Sequence, residues 1–389
     1  MQPDSGLPNI ASASSLGTSA TVRYFDIHPP LGKLILAYGG YLLGYRPNPS
    51  YSIGKIGDPY PPSINFMALR SVSAIFGVAT VPMSFLVARA LSLSRGSSVL
   101  CGCLVLTDII GTIEARLILM DSQLLFFIQL ALLSALKLWQ SRPGSRQRLA
   151  YLVITGFVSG MAMCIKHTAL ATPGLIAMVS FLGGHFLSEP MALAECLVAG
   201  FAGLVAYALP FYPLLTREWK TGDKYDYFMP LEFRRTIMNA VDYDPMSSRP
   251  SFWRMLASLN RRMVTNNASV KKRHVWESYW YEWVINRRGV LYFSSRSTDE
   301  NGVPIPQAII YLIGNPAVCA CCLVSVVLFT CWASVMARTE AFPKARRGGS
   351  PIVPRDKMHR DKGRPIVIPA VSIFGPMGSL STCCLPLVA

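Results

Sequence analysis

Long apolar stretches separated by short polar turns make up most of the chain. A helix that spans a bilayer needs about 20 mainly apolar residues. Stretches of about that length run over residues 63–90, 98–118, 120–140, 149–166, 168–187, 191–215 and 305–336. A shorter apolar stretch at 31–45 holds Gly39, Gly40 and Gly44 and favours an interfacial or tilted helix. The pattern therefore predicts an all-α polytopic membrane protein.

The segments outside these stretches define the domain organisation. Residues 1–23 are rich in Ser, Ala and Gly, and we expect them to be disordered. Residues 24–337 are predicted to form one transmembrane domain, in which residues 216–304 make a long polar and aromatic loop. Residues 338–389 are basic and rich in Pro and Gly, which predicts a low-complexity tail.

Composition agrees with a membrane protein and argues against several other classes. The 389 residues are 51% hydrophobic and 15% charged, with a mean hydropathy of +0.36, whereas a soluble domain carries about 25% charged residues. The net charge of +16 lies mostly in loops, where membrane topology and anionic lipid explain it, so no nucleic-acid partner is expected. The ten cysteines lie mainly in apolar stretches and lack the spacing of a zinc site, so no metal is expected.

The short loops predict the orientation of the chain, because basic loops stay on the cytosolic side. The segment "SRPGSRQR" (141–148) holds three arginines and no acid, and the tail from 338 to 364 is also basic. Counting spans from these two anchors places the turns at 115–121 and 166–168 and the loop 216–304 on the opposite, lumenal side. Asn267 begins a glycosylation sequon in that loop.

Ionisable residues gather at the predicted lumenal ends of the spans. Charged groups inside or at the edge of a membrane are costly and are usually functional. The residues concerned are Asp26, His28, Lys33, Arg70, Glu114, Arg116, Asp121, Lys166, His167 and His274. Three separate loops bring an acid or a histidine together with a base to one membrane face. This is what a site for an anionic, lipid-linked substrate requires, since cations hold phosphate and a carboxylate handles a proton.

Each of these residues also has a purely structural interpretation. Lys166 at a helix end is typical of a snorkelling lysine. Glu114 and Arg116 are close enough in sequence for a local ion pair, and Asp121 is placed to cap the helix that follows it. His28 fits a turn held by the two prolines after it.

The lumenal loop contains the aromatic segment "HVWESYWYEWVINRRGVLYF" (274–293). Trp276, Trp280 and Trp283 recur at helical spacing, which predicts that they share one face of a helix. That helix fits either an interfacial element lying on the leaflet or a wall of the site that holds donor or acceptor.

Six segments, in order, resemble successive motifs of the eukaryotic protein O-mannosyltransferases. They are "YFDIHPPLGKLI" (24–35), "ALRSVSAIFG" (68–77), "EARLILMDSQLLFF" (114–127), "GMAMCIKHTAL" (160–170), the aromatic segment above and "IYLIGNPAV" (310–318). The resemblance implies the GT-C glycosyltransferase fold in the endoplasmic reticulum membrane. It also implies inverting transfer of mannose from dolichyl phosphate mannose to Ser or Thr of secretory polypeptides, with no cofactor and with a second family member as dimer partner.

The resemblance also implies roles for the ionisable residues. The donor phosphate partners would be Arg70, Arg116 and Lys166. Candidates for catalysis are Asp26, His28, Glu114 and Asp121, with Asp26 and His28 on the acceptor side and the other two organising the lumenal turn. The covering loop would contribute His274, Trp280 and Trp283.

The sequence departs from the family pattern at both ends. The family places an Asp-Glu pair shortly before the His-Pro-Pro stretch, and residues 1–23 contain no match for it. The loop 216–304 is too short for the family's large lumenal domain, and residues after about 340 do not resemble its remaining spans. We therefore expect a truncated member whose activity alone is doubtful. The alternatives are an inactive paralogue that partners an active mannosyltransferase, and a GT-C enzyme acting on a lipid-linked glycan. A transporter is disfavoured, since its charges would lie near mid-membrane.

Overall fold

The computed structural model describes residues 22–23, 27–46, 60–181, 191–216, 220–221, 229–238, 240–269, 276–298 and 304–338. Asp26 and His274, two of the predicted site residues, lie outside the described residues. The predicted leader, apart from its last two residues, and the predicted tail after its first residue lie outside them as well.

Helices account for most of the described chain up to residue 216. They are α1 (Leu31–Leu42), α2 (Phe66–Ala90), α3 (Arg95–Leu106), α4 (Ile109–Arg116), α5 (Asp121–Trp139), α6 (Arg146–Met163), α7 (Ala171–Phe181), α8 (Leu193–Ala208) and α9 (Phe211–Thr216). A 3₁₀ turn, His167–Leu170, leads into α7. The short strand β1 (Val22–Arg23) pairs in parallel with β2 (Lys220–Thr221).

Only part of the predicted set of spans has the length and composition of a membrane-crossing helix. Within the described residues these are α2 and α5, with a third span if the bent pair α3 and α4 counts as one. Two shorter apolar helices are formed by the 3₁₀ turn together with α7, and by α8. The prediction of one continuous helix over 98–118 is wrong, because the chain bends by 55° between α3 and α4.

A new helix start causes this bend. The Asp108 side chain accepts a hydrogen bond from the Gly111 backbone N–H at 3.0 Å and so caps α4. The Thr107 carbonyl, exposed by the break, accepts from the Asn315 side-chain amide at 3.1 Å. The bend is therefore held by a residue 208 positions away in sequence, which supplies the partner that backbone groups need inside a membrane.

The tightest helix contact joins α6 and α8 through small residues. A Cβ at Gly160 would lie 2.1 Å from the Gly203 carbonyl oxygen, and a Cβ at Gly156 would lie 2.0 Å from the Ala199 carbonyl oxygen. Small residues let backbones approach closely, which is how helices associate in lipid. At one end of this pair Arg148, which is 2% exposed, makes a two-pronged ion pair with Glu195.

Two apolar clusters form the core. The first joins α1, α2, α5 and α6 through side chains such as Leu36, Leu69, Ala131 and Ala162, each with 0% exposure. The second lies under the segment that follows α9 and is centred on Phe211, Leu215 and Phe233. Cys164 belongs to the second cluster and Ile165 to the first. The end of α6 is therefore the point where the two clusters meet.

Residues 216–304, predicted as a long loop between spans, contain regular secondary structure that hydropathy did not reveal. The described residues contain α10 (Leu231–Arg234), α11 (Phe252–Ala268), α12 (Trp280–Val284) and strand β3 (Val290–Thr298). Helix α11 is amphipathic, with Met255, Leu256, Leu259 and Met263 buried in the second cluster. Those positions follow helical spacing, so the sequence contained the signal for α11.

The predicted apolar helix over 305–336 begins later than expected. Residues Pro304–Leu312 form strand β4, antiparallel to β3, and helix α13 (Pro316–Arg338) follows. Pro304 and Pro306 cannot donate the backbone hydrogen bonds of a helix interior. The base of the hairpin is closed by Asn286, whose side-chain amide donates to the Gly314 carbonyl at 2.7 Å.

The prediction that Trp276, Trp280 and Trp283 share one helix face is wrong for Trp276. Helix α12 covers only Trp280–Val284, and Trp276 lies in the turn before it. The Glu282 side chain accepts from the Tyr279 backbone N–H at 2.8 Å, which fixes the start of the helix there.

Candidate active site

A lysine and an aspartate from two neighbouring turns form the centre of the site. The Lys166 ammonium donates to Asp121 Oδ1 at 2.7 Å, and the two side chains are 14% and 9% exposed. Asp121 is the first residue of α5, and it makes this contact instead of capping the helix. Lys166 has extended backbone angles between α6 and the 3₁₀ turn, which point its side chain out of both.

Glu114 adds a second carboxylate to this pair. It lies in the last turn of α4, is 2% exposed, and is within electrostatic range of Asp121 and Lys166. Its Oε2 has no hydrogen-bond partner within the described part of the chain. Arg116 is exposed, and the local ion pair between Glu114 and Arg116 does not form among the described residues. A buried, half-satisfied carboxylate is costly, so the nearby lysine is its main compensation.

Arg70 lies on the helix face that packs against these turns. Ser73, about one turn further along α2, donates to the Leu119 carbonyl at 2.9 Å. Gly77, a second turn along, packs against Ala115. Positions 70, 73 and 77 share one face of a helix, so Arg70 is on the side of α2 that faces the turn between α4 and α5. Its Nε is buried and has no hydrogen-bond partner among the residues described.

The His-Pro-Pro corner completes the site from the N-terminal side. The Leu31 backbone N–H donates to the Cys164 carbonyl at 3.0 Å, two residues before Lys166. A Cβ at Gly32 would lie 2.7 Å from the Met120 sulfur, so glycine lets α1 pack closely on the residue before Asp121. The corner that carries His28 is thereby held against both the acidic turn and the lysine turn, and Lys33 beside it is buried.

The other predicted residues take no part in the contacts described above. Arg116 is exposed at the end of α4. Trp283 is half-buried and donates its indole N–H to the Ser278 hydroxyl, within its own segment. Trp280 begins α12. Asn267 is exposed in the last turn of α11. Within the described residues, no group of three or more His, Cys, Asp or Glu side chains is placed to hold a metal ion.

The structure adds Gln123, Tyr207 and Asn260, polar residues that sequence patterns did not single out. Gln123, two residues after Asp121, is completely buried, and neither amide atom has a partner in the described part of the chain. His167, Tyr207 and Asn260 form a hydrogen-bonded chain directly beside Lys166. The only sequence signal for these three was the position of His167 next to the lysine.

A helical membrane bundle with cations and acids collected at the turns between its helices fits the class predicted above, the membrane-embedded glycosyltransferases. Comparison with known proteins identifies the family. A family model described as "Dolichyl-phosphate-mannose-protein mannosyltransferase" matches residues 19–184, and one for the "C-terminal four TMM region of protein-O-mannosyltransferase" matches residues 252–350. The chain belongs to the protein O-mannosyltransferase family, and the predicted resemblance is confirmed.

Individual relatives agree with this assignment. Protein O-mannosyl-transferase 1 of Mus musculus is 30% identical over 225 residues, which cover 54% of this chain and 30% of the mouse protein. Dolichyl-phosphate-mannose–protein mannosyltransferase 3 of Saccharomyces cerevisiae is 32% identical over 168 residues, covering 43% of this chain and 21% of that protein. The chain therefore spans about a third or less of the length of these relatives.

A solved structure supports the fold. The Saccharomyces cerevisiae protein O-mannosyltransferase Pmt1–Pmt2 complex bound to the sugar donor matches with a TM-score of 0.50 and 25% identity. The match covers 61% of this chain and 33% of that one. The prediction of a helical GT-C membrane bundle is thus confirmed.

Proposed function

We propose that this chain takes part in transfer of mannose from dolichyl phosphate mannose to Ser or Thr hydroxyls of secretory polypeptides, at the lumenal face of the endoplasmic reticulum membrane. The observation that carries the proposal is the Lys166–Asp121 ion pair, buried where the turns of a mannosyltransferase-like bundle meet. Family membership supports the donor and the reaction.

The geometry favours a phosphate-binding role for Lys166. An ammonium group has three donors, and one of them is used by Asp121 Oδ1. The remaining donors are available for the phosphate oxygens of the lipid donor. Arg70, with its unpartnered Nε among the described residues, and the exposed Arg116 would supply further positive charge.

The burial of Glu114 and Asp121 argues against either of them as the base that takes the acceptor proton. Glu114 and Asp121 are 2% and 7% exposed, so an incoming polypeptide does not reach them. We assign them to holding Lys166. In the inverting reaction the acceptor hydroxyl oxygen attacks the anomeric carbon of mannose, and the bond from that carbon to the phosphate oxygen breaks. A carboxylate on the acceptor side takes the hydroxyl proton. We propose Asp26 for this part, because the family resemblance implies an acceptor-side role for it and for His28, two residues later.

We also propose that the chain pairs with another family member. The matched yeast structure is a complex of Pmt1 and Pmt2. Helix α13 exposes large apolar side chains along its length, among them Val324, Leu328 and Trp332, which suits contact with lipid or with a second membrane protein.

The test is a transfer assay in membranes that lack endogenous protein mannosyltransferase activity. The full chain is expressed alone or together with an active family member, and labelled dolichyl phosphate mannose is supplied with a Ser/Thr peptide. We expect labelled peptide, and we expect Lys166→Met to abolish the increase that the chain produces. Lys137→Met is the matched control, because Lys137 lies in the last turn of α5, at the opposite end from Asp121. No labelled peptide under either condition, or equal activity for Lys166→Met and Lys137→Met, would contradict the proposal.

A further inference from the structure

Three side chains from three separate elements form one hydrogen-bonded chain beside Lys166. His167 Nε2 lies 3.0 Å from the Tyr207 hydroxyl, and that hydroxyl donates to Asn260 Oδ1. Asn260 in turn donates through its amide nitrogen to the Leu256 carbonyl at 2.9 Å. The chain joins the 3₁₀ turn to α8 and α8 to the amphipathic helix α11.

The direction of these hydrogen bonds follows from the donors available. The Tyr207 hydroxyl contacts the Asn260 side-chain oxygen, which can only accept, while the Asn260 amide nitrogen donates to the Leu256 carbonyl. A tyrosine hydroxyl has one proton, and Tyr207 gives it to Asn260. His167 must therefore carry a proton on Nε2 and donate it to the tyrosine oxygen. Every donor in the chain has one acceptor, so loss of the Tyr207 hydroxyl breaks both links at once.

The chain acts on the same short piece of backbone as the lysine. Lys166 has φ −145° and ψ 141°, an extended conformation in which successive side chains point to opposite sides. Lys166 reaches Asp121 on α5, and His167 reaches Tyr207 on α8. The backbone at 166–167 is thus held by contacts on both sides. Loss of the His167 contact would free the backbone that orients the Lys166 side chain.

We propose that Tyr207 is a positioning residue for Lys166, and that the His167–Tyr207–Asn260 chain couples docking of α11 to the orientation of this lysine. Only the last step, from an oriented lysine to binding of the lipid phosphate, rests on the function proposed above. Helix α11 docks by its apolar face, and His167 orients its neighbour Lys166. Tyr207 and Asn260 link these two features, although no pattern in the sequence connects them.

Packing and hydrogen bonding at Tyr207 can be separated. The Tyr207 ring packs on Phe211 with centroids 5.3 Å apart, and Tyr207→Phe keeps that contact while it removes the hydroxyl. Asn260→Leu removes the acceptor at similar volume. Asn260→Asp keeps an acceptor oxygen for Tyr207, and the Leu256 carbonyl that loses its side-chain donor lies within the same helix α11.

The experiment measures how fast the Lys166 amine reacts with an acetylating reagent in the full-length protein in membranes, by mass spectrometry. Lys137, in the last turn of α5, is the internal reference. We expect the Lys166/Lys137 labelling ratio to rise about fivefold in Tyr207→Phe and in Asn260→Leu, the factor that one net hydrogen bond corresponds to. We expect Asn260→Asp to keep the wild-type ratio.

An unchanged ratio in Tyr207→Phe would overturn the proposal. So would a parallel rise at both lysines, which reports general loosening, or an Asn260→Asp ratio equal to that of Asn260→Leu. The labelling needs no donor and no transfer, so it decides the positioning role even if the wild-type chain transfers no mannose. Where transfer is observed, Tyr207→Phe should raise the donor KM by a similar factor and leave the acceptor KM unchanged.

Discussion

Removal of Lys166 should destabilise the fold more than removal of its partner Asp121. The lysine is the cation nearest to two buried acids, Asp121 and Glu114. Lys166→Met leaves both carboxylates without it, and they repel each other. Asp121→Asn leaves the lysine with Glu114 nearby and with an amide oxygen as acceptor. The two substitutions remove the same ion pair, yet they leave different charges behind.

The expected magnitudes follow from burial. Breaking a buried ion pair by removing one partner costs about 3–5 kcal/mol, and Lys166→Met should fall in the lower part of that range because its side chain is 14% exposed. Asp121→Asn should cost about 1.5–3 kcal/mol, the net loss of a charged hydrogen bond. The double variant removes both charges, so the two effects should not add, and the coupling should be about 2 kcal/mol.

The assay is equilibrium unfolding of the purified chain in mixed micelles with increasing dodecyl sulfate, followed by tryptophan fluorescence. The matched control is the exposed pair between Arg254 and Glu232, which has the same 2.7 Å contact but side chains 66% and 54% exposed. Its loss through Glu232→Gln should cost less than about 1 kcal/mol. Additive effects of Lys166→Met and Asp121→Asn, or a larger cost for Asp121→Asn, would refute the reasoning.

Three further predictions concern the frame around the site. Gly160→Leu should abolish stable folding in the same unfolding assay, because its Cβ would lie 2.1 Å from a backbone oxygen of α8, whereas Gly174→Leu has open space among the described residues and should be tolerated. Arg148→Met should cost about 3 kcal/mol by leaving Glu195 without its two-pronged partner, measured as a lower unfolding midpoint. Asn315→Ala should speed hydrogen exchange of the α4 amides, since it removes the hydrogen bond that holds the bend; unchanged exchange would count against that role.

Hydropathy and charge predicted those features that depend only on residues close together in the sequence. The long apolar stretches that became α2 and α5 are visible because a span needs about 20 such residues. Asp121 and Lys166 stood out because ionisable groups at the ends of apolar stretches are rare, and the structure brings these two into contact. Glu114 stood out for the same reason, although its burial favours a supporting part.

Features that depend on distant partners could not be predicted in this way. The bend after Thr107 is held by Asn315, and the start of α13 is displaced by a strand that pairs with β3. Tyr207 looked like one more aromatic in an apolar stretch until α11 supplied Asn260 as its partner. Helix α11 was missed for a different reason: its helical spacing was present, but its many polar residues resembled those of a loop.

The charge balance of the site bears on the proposed binding of a phosphate by Lys166. Asp121 and Glu114, when both are ionised, outweigh Lys166 by one negative charge, and this trio alone would repel an anionic donor. Arg70 lies on the face of α2 that meets the same turns, and its charge brings the group to neutrality. Arg116, at the exposed end of α4, makes the whole set positive. With both acids ionised, the proposed function therefore needs all three cations, since the acids fix where the lysine points and the arginines supply the net attraction.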